Sequence, residues 1–305
     1  MNAERSGIPR IVRALRSPWA LTPIVAAAFV LPVLGTADRD FTPMEADLIL
    51  AGTGSLGHLR HVLTEVFPDQ SPLYPLMVHL WTRVLGDDPL TIRALSALWA
   101  AVAVLYAGLL GRAWRNPWVG LLAALVLLAM PNTTAHGRTA RMYIVFIACT
   151  AGAHAHAAGY LRWGRTRDLV GCAAFCVLGL YNHFLAFAIA GLALAYLAGG
   201  CRYGEVRRST RPAWFAVAAV AALGLPQLIR LVAGWGHAAG MSGTYSVPDT
   251  PLAFLRAVNR NQLFDGTDLG AIPLSGQGPF WLLFGLTVVL LAWGIRNLPS
   301  RWARV

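Results

Sequence analysis

The chain has 305 residues, of which 56% are hydrophobic and 13% are charged, and its mean hydropathy is +0.54. These values exclude an ordinary soluble domain, because one soluble core could not bury so many apolar residues. The net charge of +11 could indicate nucleic-acid binding, but all 25 basic residues are arginines grouped in short segments between apolar runs. Such grouping is typical of membrane topology, and we expect no nucleic-acid partner.

Apolar runs of roughly 15 to 24 residues recur along the chain, and helices of this length cross or nearly cross about 30 Å of hydrocarbon. They cover approximately residues 18–36, 90–111, 117–131, 142–161, 168–182, 184–200, 213–233 and 279–295. These runs predict an all-α fold class, a polytopic integral membrane protein with about eight transmembrane helices.

The arginines are concentrated in alternate connections between these runs. If the N-terminus is cytoplasmic, every arginine-rich connection lies inside, as the positive-inside rule requires. These connections are residues 1–17, 112–115, 162–167, 202–211 and 296–304. We therefore predict a multi-pass protein of the cell (plasma) membrane, with a cytoplasmic N-terminus and membrane lipids as partners.

Two longer segments, residues 37–89 and 234–278, then lie on the outer face, where we expect the functional site. The first contains a short apolar stretch, residues 72–86, which we interpret as an interfacial or re-entrant helix. The second is predicted to be a loop with one short helix around residues 251–263. The predicted regions are a basic cytoplasmic segment, a transmembrane module and a C-terminal transmembrane region, at residues 1–17, 18–200 and 201–305.

Carboxylates are dense in the first outer segment. A carboxylate at the membrane surface can take a proton from an acceptor hydroxyl, or hold a divalent cation against a phosphate. The alternative is a solvated loop that is acidic only because outer loops lack arginine. The carboxylates are Asp38, Asp40, Glu45, Asp47, Glu65 and Asp69.

The sequence from Asp69 to Trp81 places Asp69, Tyr74 and His79 at the entrance of the short apolar helix. These polar groups could line a pocket. In the alternative interpretation the aromatic residues are anchors at the headgroup boundary and Asp69 is a helix cap.

Arg138 and Arg141 lie in a short outer connection, against the positive-inside trend. At i, i+3 they would share one helix face if the fourth helix begins there, and paired guanidinium groups suit a phosphate or pyrophosphate. Snorkelling to lipid headgroups is the alternative.

His183 stands between the fifth and sixth runs. There it could bind a metal, relay a proton or serve as a structural hydrogen-bond partner. His154 and His156 lie inside the fourth run on different faces, and we interpret both as structural.

The order and spacing of several residues resemble the N-terminal module of the GT-C superfamily of membrane glycosyltransferases. The resemblance is to the bacterial family 39-like group, which is related to dolichyl-phosphate-mannose protein mannosyltransferases and to the aminoarabinose transferases of lipid A. It covers about residues 18–200. It rests on Glu45, on Pro72, Leu73 and Tyr74 with His79 and Trp81, on Gly86, Arg93 and Ser96, on Pro131, Arg141 and Tyr143, and on Tyr181 to His183.

The resemblance implies transfer of a sugar from a polyprenyl-phosphate donor to a glycan, lipid or protein acceptor on the outer face, with inversion at the anomeric carbon. It implies catalytic roles for Glu45, Asp47 and Asp40, and binding of the donor phosphate by Arg138 and Arg141. It also implies a pocket formed by Asp69, Tyr74, His79, Tyr143 and His183. The pattern requires no cofactor but is compatible with a divalent cation, Mg or Mn, on Glu45 and His183.

One position departs from the family pattern, because Met44 stands where the outer motif usually has Asp before Glu. Asp40 or Asp47 would then have to replace that residue. The alternative is a catalytically degenerate relative that acts as a lipid-binding or partner subunit. Transport is disfavoured because the ionisable residues gather at the outer boundary, with Arg230 the nearest to an exception inside a span.

Overall fold

A computed structural model describes residues 17–34, 36, 41–66, 70–203 and 209–241. Within these ranges the regular structure is helical and contains no strand, which confirms the predicted all-α class. A 3₁₀ turn at Pro18–Leu21 precedes the first helix, and one π-helical turn at Val62–Val66 follows the third. The α-helices are α1 Thr22–Val33, α2 Pro43–Thr53, α3 Leu56–His61, α4 Leu73–Leu85, α5 Pro89–Trp114, α6 Pro117–Ala129, α7 Pro131–Arg138, α8 Tyr143–Trp163, α9 Thr166–Asn182, α10 Ala186–Tyr203 and α11 Arg211–Met241.

Three of these helices are long and apolar enough to cross a membrane, namely α5, α8 and residues 211–233 of α11. Helices α6 and α7 qualify together as a fourth span, bent by 59° at the break between them. Helices α1 and α10 are apolar but shorter. The prediction of about eight spans therefore remains a prediction, and its last run, residues 279–295, lies outside the described residues.

The helices inside the two predicted outer segments form partly as expected. Helix α4 occupies the short apolar stretch of residues 72–86, and its position relative to a membrane remains a prediction. Helix α11 continues to Met241, but the part of it that is apolar enough to cross a membrane ends at Ala233, the predicted end of that run. The rest of the second outer segment, including the predicted helix at residues 251–263, lies outside the described residues.

Helix α5 is central to the bundle and packs against α1, α6 and α8. Its buried side carries small residues such as Ala97, Ala100 and Gly111. A Cβ atom on Gly111 would lie 2.9 Å from the Cα atom of Gly120, so α5 and α6 meet backbone to backbone. Small residues allow this close packing where no hydrophobic effect drives helices together in lipid.

The bundle has two polar ends, and α5 runs from one to the other. Arg93 in its first turn pairs with Glu45, whereas Arg112 near its last residue donates from Nη1 to the carbonyl oxygen of Ser17 (3.0 Å). At 1.5 Å per residue these two arginines are about 28 Å apart along the helix, close to the thickness of a hydrocarbon core. We call residues 36, 41–53, 70–93, 139–143 and 182–183 the acid end, and residues 17–19, 112–118 and 161–168 the arginine end.

Candidate active site

Glu45 is the centre of the acid end, and its side chain is only 1% exposed. Its Oε2 accepts hydrogen bonds from the backbone N–H (2.9 Å) and the hydroxyl (3.1 Å) of Thr42, the residue that caps α2. This reciprocal capping box explains why Glu stands three residues after Thr. The other oxygen, Oε1, accepts from the backbone N–H of Ala140 (2.8 Å). The carboxylate therefore joins two distant parts of the chain.

Arg93 supplies the positive charge that faces this carboxylate. Its Nε lies 3.5 Å from Oε1 of Glu45, and its Nη1 donates to the carbonyl oxygen of Thr36 (3.0 Å). Its guanidinium carbon also lies 4.7 Å from the ring centroid of Phe41. A charge withdrawn from water is tolerated only with such partners. The pair fastens α2 to α5 and to the chain that follows α1.

The connection between α7 and α8, residues 139–142, is held from both sides. Glu45 accepts from the N–H of Ala140, and the side-chain amide of Asn182 donates from Nδ2 to the carbonyl oxygen of Met142 (2.8 Å). Ala140 and Asn182 are fully buried. The connection is thus a fixed element between the carboxylate and the end of α9.

Aromatic and histidine rings collect where this connection enters α8. The Tyr143 ring lies 5.1 Å from the ring of His136 and 5.8 Å from that of His183, measured between centroids. The guanidinium of Arg141 lies over the same tyrosine at 4.8 Å, and Phe146 contacts His183 at 5.0 Å. Of the predicted site residues, Arg141, Tyr143 and His183 are therefore brought together, beside the Glu45 and Ala140 contact.

His183 is neutral in this setting. Burial lowers the pKa of its imidazole below the ordinary value of 6.5. Its Nδ1 accepts from the backbone N–H of Leu185 (3.2 Å), so the ring proton of the neutral form belongs on Nε2. His183 can therefore donate one hydrogen bond from Nε2 to a ligand.

The two predicted phosphate-binding arginines do not share a helix face. Arg138 ends α7, Arg141 precedes α8, and Thr139 between them is extended (φ −104°, ψ 139°). The expected i, i+3 geometry is wrong because no helix runs through both residues. Arg138 donates from Nη2 to the carbonyl oxygen of Leu31 (3.4 Å), and its buried Nε has no partner among the described residues.

The other predicted carboxylates differ in exposure. Asp47 follows Glu45 by two residues on α2, so it faces away from the buried side and is exposed to solvent. It makes no hydrogen bond or ion pair with any residue that the structure describes. Asp40 and Asp69 lie outside the described residues. Among the described candidates for a base, Asp47 and Glu65 are exposed to solvent, whereas Glu45 is buried.

Tyr74 and His79 lie on the buried face of α4. The hydroxyl of Tyr74 shares a hydrogen bond with Oγ of Ser96 (2.8 Å), and Nδ1 of His79 lies 2.9 Å from the carbonyl oxygen of Gly52. These contacts fix α4 against α5 and α2. Their assignment to a pocket remains a prediction.

Two members of the site had no role of their own in the sequence analysis. His136 takes part through a ring contact and Asn182 through its side-chain amide, although Asn182 stands between Tyr181 and His183 of the family pattern. Arg230 donates to the carbonyl oxygens of Leu63 (2.8 Å) and Gln70, which ties α11 to the segment before α4. In the sequence, Arg230 stood out only as an ionisable residue inside an apolar run, which is a pattern that indicates a buried role.

The described residues bring together no group of three or more His, Cys, Asp or Glu side chains that could hold a metal ion. The predicted ligand Glu45 already uses both oxygens on protein donors, and His183 uses Nδ1 on a backbone N–H. We therefore derive no step through a metal on these two residues.

Apolar helices joined by short arginine-rich turns, with interlocked polar side chains at one end, define an all-helical membrane protein with a buried polar site. A family model described as dolichyl-phosphate-mannose-protein mannosyltransferase matches residues 69–229, more than half of the chain. The chain belongs to this family, which is of GT-C type, and the resemblance seen in the sequence is confirmed. Comparisons with curated proteins and with solved structures give no match. Family membership indicates a membrane glycosyltransferase in general terms.

Proposed function

We propose that this protein transfers a sugar from a polyprenyl-phosphate donor to a hydroxyl of a glycan, lipid or protein acceptor at the acid end, on the outer face of the plasma membrane. The observation that carries the proposal is the connection at residues 139–142, which Glu45 and Asn182 hold in place by hydrogen bonds. Within it Arg141 lies over the ring of Tyr143, which in turn contacts the ring of His183. Family membership supports the reaction class.

In this proposal Glu45 is a positioning residue. Both of its oxygens accept hydrogen bonds from the protein and its side chain is almost fully buried, so it does not contact the acceptor. Its charge instead fixes Ala140, and through Ala140 the start of α8 with Arg141. A cation such as Arg141 that is held in position before the reaction stabilises negative charge that develops during transfer.

Arg138 and Arg141 are the proposed phosphate ligands. In the chain the two arginines flank the extended residue Thr139 and the buried residue Ala140, and the buried Nε of Arg138 has no partner among the described residues. A planar guanidinium donates two parallel hydrogen bonds to phosphate. The Nε2–H of His183 would add a neutral donor to the same group.

The proposed chemistry is a displacement at the anomeric carbon. The acceptor oxygen forms a bond to that carbon, the bond from carbon to the phosphate oxygen breaks, and the lipid phosphate leaves with the electron pair. Asp47, which is exposed, takes the proton of the acceptor hydroxyl. A single displacement inverts the configuration, as the family resemblance also implies. Asp40 stays a second candidate for this base.

In this proposal the lipid chain of the donor lies along a narrow apolar crevice. The crevice lies between α8, α9 and α10 and is open on one side, and Phe146, Cys149, Phe175 and Ala190 are among its lining residues. Phe146 also contacts His183, so the crevice begins beside the proposed phosphate site. The first isoprene units would lie against these side chains.

The test uses the full chain purified in detergent with radiolabelled polyprenyl-phosphate mannose, glucose or arabinose and a membrane extract as acceptor. We expect transfer, with kcat lowered at least about a hundredfold in Asp47→Asn, within the usual range for loss of a general base. Arg141→Gln should mainly raise the KM for the donor. Arg60→Gln, which changes an exposed arginine whose side chain has no described partner, is the matched control and should match the wild type.

Glu45→Gln distinguishes a positioning role of Glu45 from the catalytic role that the family resemblance implies. As a positioning residue it should lower the unfolding temperature together with activity, and it should leave the pH profile of the remaining activity unchanged. Donor binding without transfer in the wild type would identify a degenerate relative, and no donor binding would overturn the proposal. Loss of wild-type transfer in EDTA would assign a divalent cation that the described residues do not gather.

A further inference from the structure

Helix α11 buries one stripe of side chains at the helical period, and the stripe changes from apolar to polar along the helix. Its first members are small or apolar, namely Ala213, Ala216, Val220 and Gly224. Gln227 and Arg230 continue the stripe, and Gln227 is only 1% exposed. A long amide side chain thus lies on the buried face of an otherwise apolar helix.

The amide of Gln227 has no partner inside the protein. Its Oε1 and its Nε2 are both buried, and neither has a hydrogen-bond partner among the residues that the structure describes. An amide can accept two hydrogen bonds and donate two. Burying it without partners destabilises a fold, whereas an apolar side chain of the same shape would not. A buried group of this kind therefore indicates a bound molecule or a function.

Helices α9 and α11 touch closely near the end of α9. A Cβ atom on Gly224 would lie 2.6 Å from Cδ1 of Leu180, so nothing larger than glycine fits at this contact. The hydroxyl of the next residue, Tyr181, donates to the carbonyl oxygen of Leu223 (3.0 Å). The last turn of α9 is therefore in register with residues 223–224 of α11.

This register puts Gln227 at the level of His183. Each of the two residues follows its helix's part of the contact, Gly224 or Leu180, by three positions, which is about 4.5 Å farther along the helix. Arg230, three residues beyond Gln227, donates to the carbonyl oxygen of Gln70 in the acid end. Gln227 thus belongs to the acid end, at the level of the ring proposed to bind the donor phosphate.

The hydrogen-bonding capacity of the amide fits a sugar. A hydroxyl group both donates and accepts, so two neighbouring hydroxyls can pair with the oxygen and the nitrogen of one amide. A phosphate oxygen only accepts, and an isoprene chain does neither. In the proposed donor the sugar is bonded directly to the phosphate, so it lies next to the group that His183 contacts.

We infer that the Gln227 amide binds hydroxyl groups of the donor sugar and thereby contributes to the choice of sugar. The inference rests on the proposed function, because it requires the donor phosphate beside His183. Since Gln227 is almost fully buried, the sugar reaches the amide by displacing the side chains that cover it. The amide therefore lowers the stability of the protein alone and raises the affinity for a sugar-bearing lipid.

The test compares the wild type with Gln227→Met, because methionine is also long and unbranched but carries no amide. The full chain in detergent is titrated with polyprenyl-phosphate mannose, glucose and arabinose, and with polyprenyl phosphate without a sugar as the matched ligand. We expect the wild type to bind at least one sugar-bearing lipid more tightly than the sugar-free lipid. Gln227→Met should bind that lipid about tenfold more weakly and polyprenyl phosphate as tightly as the wild type.

The stability of the protein without lipid is the second measurement. Gln227→Met should unfold about 2 °C above the wild type, because it removes a buried amide that has no partner. Leu228→Met is the matched control, since it introduces the same side chain at the next residue, which is 43% exposed. It should leave the unfolding temperature and all affinities unchanged.

An unchanged or lower unfolding temperature in Gln227→Met would show that the amide is already satisfied, for example by an internal water, and would overturn the inference. So would equal losses of affinity for the lipids with and without sugar, or equal wild-type affinities for both. Equal wild-type affinities would leave the proposed phosphate site intact. A wild type that binds none of these lipids would instead overturn the proposed function, and this inference with it.

Discussion

The two ends of the bundle use arginine in opposite ways. At the acid end Arg93 is 3% exposed and faces a carboxylate that is 1% exposed, whereas at the arginine end Arg162 is exposed and donates to backbone carbonyls. Removing one member of a buried ion pair leaves the other charge without a partner and without water, whereas at an exposed site water replaces the lost partner. The same residue type therefore supports buried architecture at one end and contact with the surroundings at the other.

Arg93→Met should give the largest loss of stability. The Glu45 carboxylate would remain buried without its cation, at a cost of about 3–5 kcal/mol in the free energy of unfolding. Denaturant unfolding in detergent measures this cost. The double variant Glu45→Gln with Arg93→Met should recover part of it because no charge is left unpaired. A loss no larger than that of Arg162→Met would refute the contrast between the two ends.

Arg162→Met should have an intermediate effect. It removes charged hydrogen bonds to the last carbonyls of α5, where a cation also favours the helix dipole, and about 1–2 kcal/mol is expected. The same unfolding experiment measures it. Because the Arg162 side chain is exposed, added salt should reduce the difference in the free energy of unfolding between Arg162→Met and the wild type. Salt should leave the corresponding difference for Arg93→Met unchanged, because that pair is buried.

His183 should give a smaller, pH-dependent effect at the acid end. Burial lowers its pKa in the folded protein, so the unfolded chain takes up the proton first as the pH falls. Its contribution to stability is complete above about pH 6.5 and is lost as the pH falls through the folded pKa. Unfolding temperatures at pH 7.5 and 5.5 should converge in His183→Gln. An equal shift in wild type and variant would show that other groups titrate.

Arg60→Gln should have the smallest effect, a loss below about 0.5 kcal/mol in the free energy of unfolding, as expected of an exposed side chain without described partners. It supplies the baseline for the other variants. A destabilisation comparable with that of Arg162→Met would show that exposed arginines contribute equally wherever they stand.

The sequence predicted most helices because apolar runs and their arginine-rich boundaries are local properties. Helices α5, α8 and α9 begin and end within a few residues of the predicted runs. The bend between α6 and α7 was missed, although Pro131 at the break is the residue that signals it. A second break, at the extended Thr139 between α7 and α8, was also missed, and it is this break that places Arg138 and Arg141 on different elements.

The contacts of the site were less accessible to sequence reasoning. Glu45 was identified as the important acid, but its partner Ala140 is 95 residues away and contributes a backbone N–H, which every residue except proline carries. Arg93 entered only as part of a family pattern, with no indication that it faces Glu45. Contacts between distant elements depend on tertiary packing, and one sequence does not specify them.

The bonds of Arg230 bear on where the chain can be cut. The family match runs from residue 69 to residue 229, so a fragment with those limits would lose Arg230 by one position and Glu45 entirely. It would also lose Leu63, and with it one of the two carbonyls that Arg230 joins. The residues that the family model matches are therefore fewer than those that a fragment needs to keep these contacts. A fragment that keeps these contacts and the bond from Arg93 to Thr36 has to begin before Thr36 and end beyond Arg230.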